Sequence, residues 1–416
     1  MQANHPSVAV IGSGPSGCYA AQFLRKTWPT SEITIIEALP VPYGLVRYGV
    51  ASDHQGTKAI IQQFDRLFER DGVRFAGNVT VGRDISFEQI RDAFDVVILA
   101  TGLDRDRELN LQNEVECSVV GAGSLLKALN GHPNIDIPRL PDGGAMPLGE
   151  RIAIVGNGNV AMDVIRILCK RHEDFTGSDI ADERLSAIRP DAIKRIDVIG
   201  RSRPAQTKFD LAMLKEIVAL EHVRINATGL DSAEGDSVSA LLSDTRRNVP
   251  HNVDDRSGKS VEVTFHFSAK PEAIRSVDGV NCLLVRRSAS PEPLELKVDR
   301  VIAAIGFMAA DDALADRCSG DNVFRVGWLN SGGKGAIAAN RRDAKEVVEL
   351  ICAKFTSGEL RPKSRGFDAI ANHIGHLAVP FQGWRRIDDR ERCDAAQGRC
   401  RRKILSVSEM IAVAGS

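Results

Sequence analysis

The chain has 416 residues, enough for two or three domains. Its 54 basic and 55 acidic side chains nearly cancel, so charge gives no reason to expect nucleic acid or an anionic membrane surface as a partner. No run of about 18 apolar residues is present to span a bilayer, and the 8 cysteines are scattered without a C-x-x-C pair, which argues against a redox dithiol, an iron–sulfur cluster or a metal site.

Met1 to Pro6 carry neither a basic, apolar leader nor an arginine-rich amphipathic one, so a cytoplasmic location is the expectation. Ser7 to Glu37 then read as one βαβ unit. An apolar run, Val8 to Ile11, leads into Gly12-Ser13-Gly14-Pro15-Ser16-Gly17, a helical pattern to Trp28, and a second apolar run, Ile33 to Ile36. Gly12 permits a tight turn, Gly14 admits a pyrophosphate close to backbone, and Gly17 lets helix and strand touch. The helix N-terminus adds N–H groups and a positive dipole. Glu37 stands where an acid would accept hydrogen bonds from a ribose, so a bound dinucleotide is expected; the alternative is a tight turn without ligand.

Ala38 to His54 is punctuated by Pro40, Pro42, Gly44 and Gly49 yet keeps apolar residues, and would suit the flat ring of a flavin or serve as a structural loop over the sheet edge. Lys58 to Arg70 has a helical period, and Val73 to Phe75 and Val79 to Val81 read as short strands. Phe94 to Leu99 is a buried strand ending in Ala100-Thr101-Gly102, small residues that admit a cofactor. Val119 to Ser124 resembles a second fingerprint, but no acid-tipped strand follows, and it reads as a loop into a short helix, Leu125 to Leu129. Gly131 to Gly149, rich in Pro and Gly, looks like a connection between domains.

Arg151 to Val155 followed by Gly156-Asn157-Gly158-Asn159-Val160-Ala161 repeats the strand–glycine–helix pattern and predicts a second dinucleotide site. Its matching strand, Arg195 to Ile199, comes late because a polar, helix-prone insertion, Arg171 to Lys194, intervenes. It ends in Arg201-Ser202-Arg203, where arginine forks suit the 2′-phosphate of NADP; a solvated basic loop is the alternative. Phe209 to Leu220 is expected to be a helix carrying Lys215 and Glu216, and Ala227 to Ser260 shows no sharp motif. Ser260 to Phe267 alternates like a half-exposed strand, and Gly279 to Arg286 with Leu294 to Val298 look like a hairpin. Arg300 to Gly306 mirrors the earlier buried strand. Val326-Gly327-Trp328 precedes Gly332-Gly333-Lys334-Gly335 and a helix from Ala339 to Phe355; Trp328 would pack near a flavin ring or fill core. The basic, then amphipathic tail from Gly383 should pack back on the first domain. Most thiols should be buried and free, with Cys393 and Cys400 the one pair close enough in sequence for a disulfide to be the alternative.

With Pro42 to Arg47, Asp53-His54, Gly77-Asn78-Val79, the second fingerprint through Val164, Gly200-Arg201, Gly327-Trp328 and a tail of Trp384, Ile387-Asp388 and Gly398-Arg399, the chain resembles the adrenodoxin reductase-like ferredoxin–NADP reductases along nearly its whole length. The resemblance implies an α/β protein of two Rossmann-like domains. An NADP-binding domain (residues 105–307) would be inserted into a discontinuous FAD-binding domain (1–104 and 308–416). Hydride would pass from NADPH to FAD, and single electrons would leave for a ferredoxin-type iron–sulfur protein. FAD would be held by Gly12, Ser13, Gly14, Pro15, Gly17, Glu37, Ala38, Gly44, Leu45, Val81, Ala100, Thr101, Gly102, Trp328, Gly335 and Ile337. NADP would meet Gly156, Asn157, Gly158, Asn159, Val160, Asp163, Arg201, Ser202, Arg203 and Gly335. His54 and Glu216 match polar residues near the flavin, as proton-handling or tuning groups or as purely structural ones, and Asp163 belongs with them or with NADP. The chain is expected to act as a monomer.

Three departures stand out. Ser202 replaces the second arginine of the family's Arg-Arg pair, leaving Arg203 or Lys208 to substitute. Gly332 to Gly335 replaces Gly-Pro-Thr-Gly, and Met213 stands at an acidic position. An acidic ferredoxin could dock on basic residues such as Arg246 and Arg247, or these form a solvated loop. The rival readings are a flavin monooxygenase, a disulfide reductase disfavoured by the missing C-x-x-C, and a degenerate flavoprotein subunit.

Overall fold

The computed structural model describes residues 5–113, 119–140, 142–230, 237–247, 260–288, 290–309, 318–360, 362 and 365–416. The first fingerprint folds as its pattern demands. Strand β1 (Val8–Ile11) is buried along its length, α1 (Pro15–Thr27) crosses over, and β2 (Ile33–Ile36) returns parallel to β1. Short helices α2 (Gly44–Tyr48), α3 (Gln55–Lys58) and α4 (Ile61–Glu69) follow, then β3 (Arg74–Ala76) beside β2, α5 (Phe87–Ala93) with a Ser86–Gln89 capping box, and β4 (Val96–Leu99) on the far side of β1. Val79 to Val81 is not the strand its residues suggest. Asn78 turns at φ 61°, the Thr80 amide bonds the Asp84 carboxylate, and the Asp84 amide returns to the Thr80 carbonyl, which closes a turn in place of an extended run.

Beyond β4 come β5 (Arg105–Asp106), β6 (Gln112–Asn113) and β7 (Val119–Gly121), with helix α6 (Ala122–Leu129) starting at Ala122. Val119 to Gly121 is therefore an edge strand rather than the loop expected, because its valines pair with Val301 and Ile302 of a strand some 180 residues on. Next are β8 (Arg151–Val155), α7 (Asn159–Cys169), α8 (Asp182–Ile188), β9 (Arg195–Ile199), α9 (Leu211–Val218), β10 (Val223–Thr228), α10 (Ser237–Arg247) and β11 (Val261–His266). The helix α10 falls in the stretch that showed no motif. The hairpin is present as β13 (Val280–Arg287) and β14 (Leu294–Lys297), preceded by β12 (Ala269–Val277), a strand with no clean alternation in sequence because its register shifts between Pro271 and Ala273. Last come β15 (Arg300–Ala303), β16 (Phe307–Met308), β17 (Val323–Arg325), α11 (Trp328–Ser331), α12 (Ile337–Thr356), α13 (Ala371–Ile374), α14 (Phe381–Cys393) and α15 (Val407–Gly415).

Two parallel sheets result. One has order β17-β4-β1-β2-β3 and the other β10-β11-β9-β8-β15-β7, with a mixed sheet β14-β13-β12-β6 and a two-stranded ribbon of β5 and β16 beside them. Helix α12 lies on α1, and its Ala344, Val348 and Ile351 share a core with Val10, Ile35 and Ile98. Trp384, Ile387 and Met410 enter the same core, so the tail does pack back on the first sheet. It also reaches the second. Asp179 receives Lys58 at 2.7 Å and Lys403 at 2.8 Å, and Arg47 meets Glu391 at 2.5 Å, all five side chains being 5% exposed or less. Burial would raise the Asp179 carboxyl, but the two ammonium groups outweigh it and bring it down to about 2.

Candidate functional site

The carboxyl ends of β1, β4 and β17 meet at one place. Gly12 sits at φ 105°, and a Cβ there would lie 2.5 Å from the Ala100 carbonyl oxygen, so the turn into α1 tolerates no side chain. Around it, the Tyr43 amide bonds the Ser13 hydroxyl at 3.1 Å, Gly44 approaches Gly14, and Gly327 lies against Ser16. The structure thus gathers the Gly12 to Gly17 loop, the start of α2, Ala100 and the Gly327 turn. A Cβ on Gly14, by contrast, would meet nothing within 4 Å. That gap lies at the N-terminus of α1, where backbone N–H groups can receive a phosphate.

Glu37 is held at this site rather than left free. One oxygen accepts from the Ser13 amide at 3.0 Å and hydroxyl at 2.6 Å, the other from the Leu39 amide at 3.1 Å. A carboxylate has about four lone-pair positions, which leaves room for a ribose hydroxyl. Ala38 and Thr101 are exposed, Leu45 and Gly102 half-buried. Val81 is half-buried against the face of the sheet that Val79 and Leu99 cover. The Trp328 indole donates to the Gly335 carbonyl at 3.2 Å and stacks on Phe307 with centroids 5.1 Å apart; Ile337 opens α12. Cys18 is fully buried and donates its thiol to the Ser13 carbonyl, and burial raises its pKa far above the ordinary thiol value.

The second fingerprint has the same build. Gly156, at φ 111°, would place a Cβ 2.2 Å from the Ala304 carbonyl oxygen, whereas one on Gly158 would meet nothing within 4 Å. The Asn157 side-chain Nδ2 is buried with no hydrogen-bond partner, lodged against Gly200 at the end of β9. Asn159 accepts from the Asp210 amide at 2.9 Å and so ties the start of α7 to the loop carrying Arg201, Ser202 and Arg203. Arg201 and Arg203 are exposed, and the Ser202 carbonyl accepts from Ser268. Beneath them His266 bridges Asp197, at 2.8 Å, and Thr228, at 3.1 Å, across three adjacent strands. Arg246 and Arg247 close α10, and their side chains lie outside the described residues.

Between the two sites His54, the residue before α3, puts Nε2 3.0 Å from Glu216 on α9 and Nδ1 3.7 Å from Asp163 on α7. Arg166 anchors the group. It forks onto both Asp53 oxygens at 2.9 Å and pairs with Asp163 at 2.8 Å, while its Nη1 lies 3.3 Å from Glu216, close enough for attraction but not aligned to donate. Burial would raise Asp53, but Arg166 and Lys170 outweigh it and hold the carboxyl below its ordinary range. Burial raises Asp163, against the pull of Arg166 and His54.

A family model described as pyridine nucleotide-disulphide oxidoreductase matches residues 6–207. Cindoxin reductase of Citrobacter braakii is 40% identical over 98% of this chain and 90% of its own length. The mitochondrial NADPH:adrenodoxin oxidoreductase of Drosophila melanogaster is 30% identical over 98% and 93% respectively. The chain belongs to the adrenodoxin reductase-like ferredoxin–NADP reductases. The solved structure of Mycobacterium tuberculosis FprA in complex with NADPH matches 99% of the chain and all of FprA, with a TM-score of 0.84 and 27% identity. Within this reductase, Asp163 lies with His54 and Arg166. In the sequence Asp53 stands out only as part of a family motif, and Arg166 carries no functional signal beyond its place on the helix. The signal was available: Asp163 and Arg166 are one turn apart on α7, and an arginine among Val164, Ile165, Ile167 and Leu168 must find an acid.

Proposed function

We propose that the reductase takes hydride from NADPH onto FAD and passes electrons singly to a ferredoxin-type iron–sulfur protein, working as a monomer in the cytoplasm. The observation that carries this reading is the pair of glycine turns, each open at its middle glycine, bridged by the contact of His54 with Glu216. Bound FAD would supply the chemistry, accepting two electrons and releasing them one at a time. The chain's residues fit both cofactors. In this reading residues 1–104 and 308–416 bind FAD, with Gly12 to Gly17 along the pyrophosphate, Glu37 at the ribose, and Gly44, Leu45, Val81, Trp328 and Ile337 along the rest. Residues 105–307 bind NADP(H), with Asn157 and Gly158 at the turn, Asn159 and Val160 at the helix start, and Arg201 with Arg203 at the 2′-phosphate.

Positioning and exclusion of water are the protein's share of catalysis. His54 and Glu216 hold or relay a proton beside the reacting rings, fixed from behind by Arg166 and Asp53. The names of two relatives pair such reductases with adrenodoxin and ferredoxin, which supports a small iron–sulfur acceptor. Among the described residues no helix is long and apolar enough to cross a membrane.

The test is a visible spectrum of the purified protein followed by anaerobic NADPH or NADH and then an oxidised ferredoxin. Flavin bleached by NADPH and re-oxidised by ferredoxin is the expected result. A colourless protein, or flavin that neither nucleotide reduces, would overturn the reading.

A further inference from the structure

The stretch Gly121 to Ser124 has the glycines of a fingerprint, and the structure shows what fills it. Asp106, on the ribbon strand β5, lays its carboxylate across the N-terminus of α6. Oδ1 accepts from the Gly123 amide at 2.7 Å, and Oδ2 accepts from the Ser124 amide at 2.8 Å and hydroxyl at 2.7 Å. The acid occupies the place a phosphate takes at such a turn. A Cβ on Gly121 would come within 2.2 Å of Asp106, and one on Gly123 within 2.3 Å of Phe307, so both glycines make room for the ribbon. Lys127, further along α6, donates to the Asp104 carbonyl at 2.8 Å. Helix α6 therefore grips Asp106 of β5 and the residue just before the strand, and touches Phe307 of β16 as well.

That ribbon is the pair of crossings between the two parallel sheets. Asp106 pairs with Phe307 and Arg105 with Met308, and the Arg107 amide bonds the Gly306 carbonyl at 2.9 Å. Phe307 in turn stacks on Trp328. We propose that Asp106 is a positioning residue for hydride transfer: by clamping the ribbon to α6 it fixes how the NADP-binding unit faces the flavin, through Phe307 and Trp328. This rests on the NADPH-to-FAD reading above. A carboxylate is needed because two backbone donors and a hydroxyl converge there, and an amide could accept for one donor while its own NH2 faces the other.

The test compares wild type, Asp106→Asn and Asp106→Ala as holoproteins, by limited trypsin digestion mapped at the exposed Arg105 and Arg107 and by stopped-flow bleaching with NADPH. Cleavage at these arginines should quicken in Asp106→Ala and less in Asp106→Asn. The limiting reduction rate should fall about ten-fold in Asp106→Ala and by less in Asp106→Asn, while the half-saturating NADPH concentration holds, since misplacement by about 1 Å costs rate before affinity. If Asp106→Ala does not fold, Asp106→Asn decides. Unchanged cleavage in the folded variants overturns the clamp, and faster cleavage with an unchanged limiting rate overturns the positioning role. A wild type that NADPH leaves oxidised overturns the functional reading instead, and the digestion still decides the clamp.

Discussion

His54 Nε2 lies 3.0 Å from Glu216 Oε2, and the two residues are 162 positions apart in sequence. This contact joins the loop after the first dinucleotide turn to a helix packed behind the second. If the pair handles a proton, His54→Ala and Glu216→Gln should each slow flavin reduction by NADPH by about 10- to 100-fold, with FAD content unchanged. Stopped-flow bleaching across pH checks this. Rates equal to wild type in both variants would leave the pair a structural contact.

Asp53 neutralises Arg166 and Lys170 in a buried setting. Asp53→Ala removes the carboxylate that forks onto the buried Arg166 and meets Lys170, leaving Asp163 as the acid paired with Arg166, and should cost up to about 3–5 kcal/mol of stability, read from urea midpoints. The folded-state pKa of Asp53 is depressed, so its contribution is present above its unfolded value of 3.8 and is lost as pH falls below that. Asp179 acts the same way, its contribution fading between 3.8 and about 2. Stability should therefore drop steeply below about pH 4, and Asp179→Asn should flatten part of that drop.

Where the family resemblance implies a second arginine beside Arg201 for the 2′-phosphate, this chain has Ser202. Ser202→Arg should sharpen the preference for NADPH over NADH, and Arg201→Ala should raise the KM for NADPH about ten-fold or more, as expected for a lost charge-assisted hydrogen bond of about 1.5–3 kcal/mol. NADH kinetics should not change with either. An equal effect on both nucleotides would remove Arg201 from the 2′-phosphate.

Gly12 and Gly14 separate fold from ligand. Gly12→Ala drives a methyl into the Ala100 carbonyl at a left-handed φ and should destabilise the protein. Gly14→Ala meets no protein atom within 4 Å, so its thermal stability without FAD should match wild type while FAD binding weakens. Calorimetry on apoprotein with flavin titration separates the two. Undiminished FAD affinity in Gly14→Ala would move the pyrophosphate elsewhere.

Features set by neighbouring residues were legible in the sequence. Apolar runs ending in glycines set β1, β8, their turns and the helices that follow, because a tight left-handed turn and a close strand–helix contact are demands on a few consecutive residues. The pairing of His54 with Glu216 and the roles at each cofactor came from family resemblance, and the structure added their contact. What only the tertiary structure decided are relations across long separations: Arg166 forking onto Asp53, the tail lysine Lys403 reaching Asp179, and β7 finding its slot beside β15. The Gly121 to Ser124 turn shows why. Its local pattern matches an anion site, and only the folded chain reveals that Asp106 is the anion, since a carboxylate and a helix N-terminus attract wherever the sheets bring them together.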